Sequence, residues 1–203
     1  MNYQVVLDET LKKLDGKKKL LLHACCAPCS SYVIEYLSNF FDITILYYNP
    51  NIDTESEFNH RLDELKRFVS LFKTKNTVEV VSLGYNPDEY LEEIKGLEGE
   101  KEGGSRCLKC YRLRLKRSCL YAKENNFDYF TTTLTISPLK NSRILNEIGR
   151  ELESEYKINY LYSDFKKREG YKRSIVLSRE YNLYRQDYCG CKFSKNRLKI
   201  VEK

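Results

Sequence analysis

His23-Ala24-Cys25-Cys26-Ala27-Pro28-Cys29 is the stretch around which the rest of the chain is arranged. It follows an apolar run, Leu20 to Leu22, and precedes an apolar-periodic segment, Tyr32 to Phe40. That order reads as strand, tight turn, helix, with three thiols in the turn. Pro28 suits the first helical turn, where a missing N–H costs nothing. In an open α/β sheet, ligands bind outside the carboxyl end of a strand, facing a helix N-terminus. The positive end of the helix dipole also favours thiolate over thiol.

Outward from this stretch the pattern repeats. Val5 to Leu14 reads as a short amphipathic helix, and Lys19 to Ala24 as the first strand. Pro28 to Asn39 is the first crossover helix, and Asp42 to Tyr48, with Ile43, Ile45 and Tyr47 alternating, the second strand. Thr54 with Glu57 makes a capping box for a helix carrying Phe58, Leu62, Leu65, Phe68, Val69 and Phe72. Val78 to Leu83 is a third strand and Pro87 to Ile94 a short helix. The glycine-rich residues 96–105 read as a mobile loop leading into a long helix that ends near Asn125. Asp128 to Thr133 is a fourth strand, with hydroxyls running on through Thr135 to Ser137-Pro138. A helix over Ser142 to Tyr156, a strand over Asn159 to Tyr162, and a basic tract, Lys166 to Arg173, running into a helix to Glu180 complete the order. Five strands alternating with helices predict a single α/β domain over residues 1–203. Its parallel sheet is flanked by helices on both faces.

Composition sets the class. A chain of 203 residues buries roughly 70% of its unfolded surface and needs no staples to fold. It has no run of ~18 apolar residues and no signal-peptide pattern, so the expectation is a cytoplasmic protein with no membrane span. Eight cysteines in a reducing compartment point to metal or redox chemistry rather than structural disulfides. The net charge is +6, clustered around Arg106 to Arg117 and Lys166 to Arg173, with Arg185 beside the last cysteines. Clustered cations suit an anionic partner such as RNA, and seventeen tyrosines offer faces for stacking on unpaired bases. Each charge run taken alone is more often the solvated face of a helix.

Seven cysteines fall into three groups: Cys25, Cys26 and Cys29; Cys107 and Cys110; Cys189 and Cys191. Cys107 and Cys110 share one face of a helix. In Cys189-Gly190-Cys191 the glycine permits a tight fold, and the two Cα atoms can lie about 5–7 Å apart, within disulfide range. Cys119, between Leu115 and Ala122 in a helical pattern, reads as a buried apolar residue. Two close pairs could make a Cys₄ zinc site, and an iron–sulfur cluster takes four thiolates as well; spacing does not choose between them. His23 reads as a satisfied strand histidine, with proton donation the sharper alternative, and His60 as a surface residue. Neither a phosphate loop nor a Ser-His-Asp arrangement is present.

Four ordered motifs together resemble one family. They are His-x-Cys-Cys-Ala-Pro-Cys at 23–29, Cys-x-x-Cys-Tyr at 107–111, Thr-Leu-Thr-Ile-Ser-Pro at 133–138, and Tyr-Arg-Gln-x-Tyr-Cys-Gly-Cys at 184–191. The chain is similar, from about Lys19 to Ser194, to the cobalamin-independent epoxyqueuosine reductases, the QueH family. The resemblance implies a fold like the adenine nucleotide alpha hydrolase (HUP) units, with the Cys-Cys motif in place of the phosphate loop. It implies reduction of epoxyqueuosine to queuosine at the wobble base of tRNAs for Tyr, His, Asn and Asp, fed by an external electron donor. By motif, Cys25, Cys26, Cys107 and Cys110 would ligate a [4Fe–4S] cluster. Cys189 and Cys191 would be a redox-active pair or ligands of a second, mononuclear iron, which Cys29 would also face. Tyr111, Arg112, Ser137, Arg185 and Tyr188 would meet the RNA, with His23, Tyr111 and Tyr188 as candidate proton donors. A zinc-stabilised RNA-binding module and an ATP-using tRNA thiolase are the competing readings; the missing phosphate loop argues against the second.

Overall fold

The computed structural model describes residues 1–195. Its elements run α1 (Tyr3–Lys12), β1 (Lys18–His23), α2 (Ala27–Leu37), β2 (Phe41–Tyr47), α3 (Glu55–Leu71), β3 (Val78–Ser82) and α4 (Asp88–Glu93). They continue with α5 (Ser105–Glu124), β4 (Tyr129–Thr132), a 3-10 turn (Thr133–Ile136), α6 (Ser142–Tyr156), β5 (Asn159–Tyr160) and α7 (Gly170–Glu180). The five strands form one parallel sheet in the order β3-β2-β1-β4-β5. The order reverses between β1 and β4, so the crevice at their carboxyl ends is the topological switch point.

Period-two alternation in β1 and β2 divides the core into two layers. Leu20, Leu22, Phe41, Ile43, Ile45 and Tyr47 face one way and pack on α1, α2 and α3 through Leu7, Val33, Leu37, Phe58, Leu65 and Phe68. Leu21, Leu46 and Phe130 face the other way, onto Leu115 and Cys119 of α5 and Leu145 and Leu152 of α6. Cys119 is fully buried there, as its sequence context predicts.

The local differences from the sequence expectation have side-chain causes. Asn2 caps α1 by accepting from the Gln4 N–H at 3.2 Å, so the helix starts before Val5. Thr54 caps α3 as expected, accepting from Glu57 N at 3.3 Å, but the Glu57 carboxylate turns to Arg61 at 2.6 Å. The hydroxyl-rich run after β4 winds into the 3-10 turn because Thr132 Oγ1 accepts from Leu134 N at 3.1 Å. Strand β5 stops at Tyr160 rather than Tyr162. Glu153 takes the Tyr160 N–H at 2.9 Å, and Asn146 clamps both backbone groups of Ser163. Residues 96–105, expected as a loop, are successive turns gathered around Arg106, whose guanidinium donates to the carbonyls of Glu98 (2.8 Å) and Glu100. No helix among the described residues is long and apolar enough to cross a membrane.

Helix α7 packs closely on α2. Arg173 grips Glu35 with two nitrogens, at 3.0 and 2.6 Å. A Cβ at Gly170 would lie 2.0 Å from the Phe165 carbonyl oxygen and 2.4 Å from the Tyr32 ring. Backbone cannot yield as a flexible side chain can, so Gly170→Ala is expected to cost about 1–3 kcal/mol. A lowered thermal unfolding midpoint by circular dichroism checks this; an unchanged midpoint would contradict the packing.

Candidate functional site

At the end of β1 the chain leaves the sheet into the first thiol group. Ala24 N donates to Leu46 O at 3.1 Å, and Asn49 donates to Ala24 O at 2.9 Å, which fixes the strand exit. Cys26 is the N-cap of α2, with Pro28 in its first turn. This turn brings three sulfurs together: those of Cys25, Cys26 and Cys29 all lie within 4.8 Å of one another, with Cys25 and Cys26 at 3.7 Å. Cys29, expected to face a different site, shares this triad.

The three sulfurs divide one negative charge unequally. Hydrogen bonds from Cys26 and then Cys29 hold the Cys25 thiol well below its ordinary range, with Lys140 and Arg114 adding to the effect. Donating to Cys25 pushes Cys26 up to about 12 and Cys29 well above its usual value.

The second and third groups meet on the other side of the crevice. Gly104 starts α5, and Gly103 N donates to Cys107 Sγ at 3.2 Å. Cys110, one turn on, is buried in an apolar cluster with Cys191, Tyr90 of α4 and Ile94 just after that helix. Burial pushes Cys107 up and Cys110 up to about 12. Gly190 sits at φ +111°, a left-handed conformation that favours glycine, and its carbonyl accepts from Asp53 N at 3.0 Å. A Cβ there would come within 3.2 Å of the Arg61 guanidinium. All eight cysteines are free thiols.

Two guanidiniums are sealed behind the sulfurs. Arg114 is 1% exposed and has no carboxylate partner among the described residues. Its weak contacts are Cys110 O and Asn49 Oδ1, each at 3.4 Å, and one terminal nitrogen is unsatisfied. Burial by itself would make Arg114 easier to deprotonate, but the sulfurs of Cys110, Cys189 and Cys25 raise its proton affinity above the ordinary value. Arg61, also 1% exposed, has Glu57 on one side and an unsatisfied nitrogen on the other. Burial opposes its charge, and Cys26 and Glu57 outweigh that. Leaving such cations unpaired in the interior would cost several kcal/mol each, so the site is built for negative sulfur.

Between the thiol groups a cavity of about 420 Å³ opens at the switch point. Cys25 and Cys29 line one wall and Cys189 another, with Ser137, Lys140 and Arg185 around the mouth. Tyr188 also lines it; its hydroxyl donates to Asp53 at 3.1 Å, and Arg61 and Lys195 lie 5.1 and 4.8 Å from its ring centre. The sequence expectations for other residues need correction. Tyr111 is buried under Arg114, not offered to a base, and burial pushes its phenol up. Arg112 is outside the cavity, paired with Glu151 on α6. His23 is fully buried, with Nδ1 on Thr132 Oγ1 at 2.9 Å and Nε2 on Tyr48 O at 3.1 Å. Burial lowers its pKa to about 3, so it ties β1 to its neighbours as a neutral ring rather than donating protons. Much of the basic tract is engaged in ion pairs within the chain, several of them on the surface: Lys166 with Asp164, Arg168 with Asp8, Lys172 with Glu169, Arg173 with Glu35. His60 is exposed, edge-on to Tyr184.

Sequence reasoning passed over Arg61 and Lys140 and left Arg114 in a charge run. A signal existed for both arginines. Arg61 is three residues after Phe58 and four before Leu65, on the helix's apolar face, and Arg114 is one turn beyond Cys110.

A parallel sheet with thiols at its switch point, buried cations behind them and a cavity in front defines a thiolate-based metal or redox enzyme on a nucleotide-binding type of fold. Among solved structures, the U34-tRNA thiolase NcsA from Methanococcus maripaludis, with its [4Fe-4S] cluster, shares that fold. The TM-score is 0.60 at 14% identity, covering 98% of this chain and 71% of that one. The family model described as epoxyqueuosine reductase QueH matches residues 20–197, and the chain belongs to that family. Epoxyqueuosine reductase QueH of Streptococcus pyogenes serotype M1 is 44% identical over 199 residues, 96% of this chain and 78% of the relative. The Staphylococcus epidermidis protein of the same name is 41% identical over 95% of this chain and 86% of its own length. The Thermotoga maritima one is 32% identical over 86% and 89%. The chain is thus an oxidoreductase of the epoxyqueuosine reductase type.

The charge division within the triad has a direct readout. In metal-free protein, iodoacetamide is expected to alkylate Cys25 well below the pH at which ordinary thiols react. Replacing Cys26 and Cys29 by alanine removes the donors and should move the Cys25 profile upward. Mass-spectrometric labelling against pH measures this; a Cys25 profile unmoved by the substitutions would contradict it.

Proposed function

We propose that this chain reduces epoxyqueuosine to queuosine in tRNA, at the wobble position of the tRNAs for Tyr, His, Asn and Asp, in the cytoplasm. The observation that carries the reading is Arg114, buried without a carboxylate among the described residues and held charged by sulfurs of three separate segments, Cys110, Cys189 and Cys25. It supports an anionic thiolate-held group between α5 and the β1 turn. In this reading Cys25, Cys26, Cys107 and Cys110 hold a [4Fe–4S] cluster. Such a cluster carries net negative charge on four thiolates and, when bound, supplies electrons one at a time. A second iron would have to draw on Cys29 with Cys189 and Cys191. The compact triad instead pools Cys29 with Cys25 and Cys26.

The chain's own residues account for the rest. The cavity lies in the size range of small-ligand clefts, roughly 300–1,000 Å³, so it can take a modified base turned out of its stack. Tyr188 offers a ring for stacking, and Ser137 and Arg185 offer polar contacts at the mouth. In this reading Cys189 and Cys191 act as a dithiol that passes on two electrons by closing to a disulfide. An external donor then restores them.

Anaerobic purification with iron, sulfide and zinc quantification tests the reading, followed by assay on epoxyqueuosine-containing tRNA. Iron and sulfide in near-equal amounts with broad visible absorption are expected; zinc without iron would replace it with a structural zinc site. Cys25→Ser and Cys107→Ser should lose both colour and turnover. Cys189→Ser should keep colour and lose turnover, and loss of colour would make Cys189 a ligand. Cys119→Ser, in the core away from the site, should keep both.

A further inference from the structure

Three cations face the sulfurs, and they differ in access. Arg61 and Arg114 are each 1% exposed and line no part of the cavity. Lys140 lines it, together with Cys25, Cys29 and Cys189. A tight turn puts it there: Lys140 N donates to Ser137 O at 3.2 Å, and Leu139 N donates to Ser137 Oγ at 3.3 Å. The same turn leaves Leu139 70% exposed to solvent while Lys140 is half-buried. Among the described residues no carboxylate pairs with Lys140. Two other donors on the cavity wall have partners, Tyr188 with Asp53 and one nitrogen of Arg185 with Ser178 at 3.0 Å. Two cations therefore stand behind the sulfurs as fixed counter-charge, and one stands in front of them, where substrate enters.

We propose that Lys140 is a catalytic residue of the reduction, its ammonium donating a hydrogen bond to the epoxide oxygen and holding the negative charge that gathers there. This rests on the reductase reading above. Overall, the two C–O bonds of the epoxide break and a C=C bond forms between the same carbons. Two electrons enter from the reductase's own donor, and two protons from water carry the oxygen away as water. Lys140 ends the turnover unchanged; its contribution is a preorganised positive charge aimed at the oxygen where charge develops. A lysine suits this place because its three hydrogens rotate freely on a flexible stem.

The test uses the full-length enzyme, purified anaerobically with its metal, as Lys140→Gln and Lys140→Arg. Removing one such donor is expected to lower kcat by ~10²–10³. Iron and sulfide content, the visible spectrum and the KM for tRNA should stay as in the unsubstituted enzyme. Lys140→Arg should recover at least about tenfold of the loss, because the charge is kept. Three results would overturn the proposal: turnover of Lys140→Gln within about threefold of the unsubstituted enzyme, activity lost only in proportion to iron and sulfide, or a change confined to KM. The second would make Lys140 a counter-ion and the third an RNA contact. If the unsubstituted enzyme itself fails to reduce epoxyqueuosine, the function reading falls, and this assignment with it.

Discussion

A guanidinium taken out of water needs negative charge beside it, and Arg114 finds that only in sulfur. It is 1% exposed, it has no carboxylate among the described residues, and Cys110, Cys189 and Cys25 favour its charge. The desolvation cost for a buried ion is several kcal/mol even after relaxation. The same cation therefore makes anionic sulfur favourable at the switch point and holds together three chain segments far apart in sequence. Arg61 repeats the logic on the other side, between Glu57 and Cys26, and presses on the Cys-Gly-Cys turn where only glycine leaves it room.

The sheet makes this possible by placement. With the order β3-β2-β1-β4-β5, the β1 turn and the 3-10 turn after β4 open onto one crevice. In nucleotide-binding folds the helix N-terminus at such a crevice holds phosphate, because its free N–H groups and dipole favour an anion. Here Cys26 is the N-cap residue and Cys29 lies in the first turn, and their thiols donate to Cys25, just before the helix, which carries the negative charge. Much of the basic surface is occupied with internal ion pairs, which on exposed faces are worth only about 0–1 kcal/mol each. Recognition in the cavity falls on a few groups, Lys140, Arg185 and Tyr188 among them.

Much of the fold was legible because it rests on short-range signals. Alternation in β1 and β2, the Thr54 cap and the apolar spacing around Cys119 each report on residues within one turn or one strand. The misreadings share a cause. Tyr111 looked like a stacking ring and Arg112 like an RNA contact because periodicity tells which residues share a helix face, not what stands across from that face. In the fold, Tyr111 lies under Arg114 and Arg112 meets Glu151. The strand expected to run past Tyr160 ends because Asn146, an amide from α6, takes both backbone groups of Ser163.

By itself the sequence determined the alternating α/β order, the three cysteine groups at loop–helix junctions and the family to which they belong, since all of these are patterns along the chain. Only the tertiary structure decided that Cys29 joins Cys25 and Cys26, that Cys110 and Cys191 share one pocket, and that His23 is a neutral structural ring. It also decided which cations stand behind the sulfurs and which stands in front. Burial and through-space charge set these outcomes, and both depend on groups that meet only when strands and helices distant in sequence are brought to the same edge of the sheet.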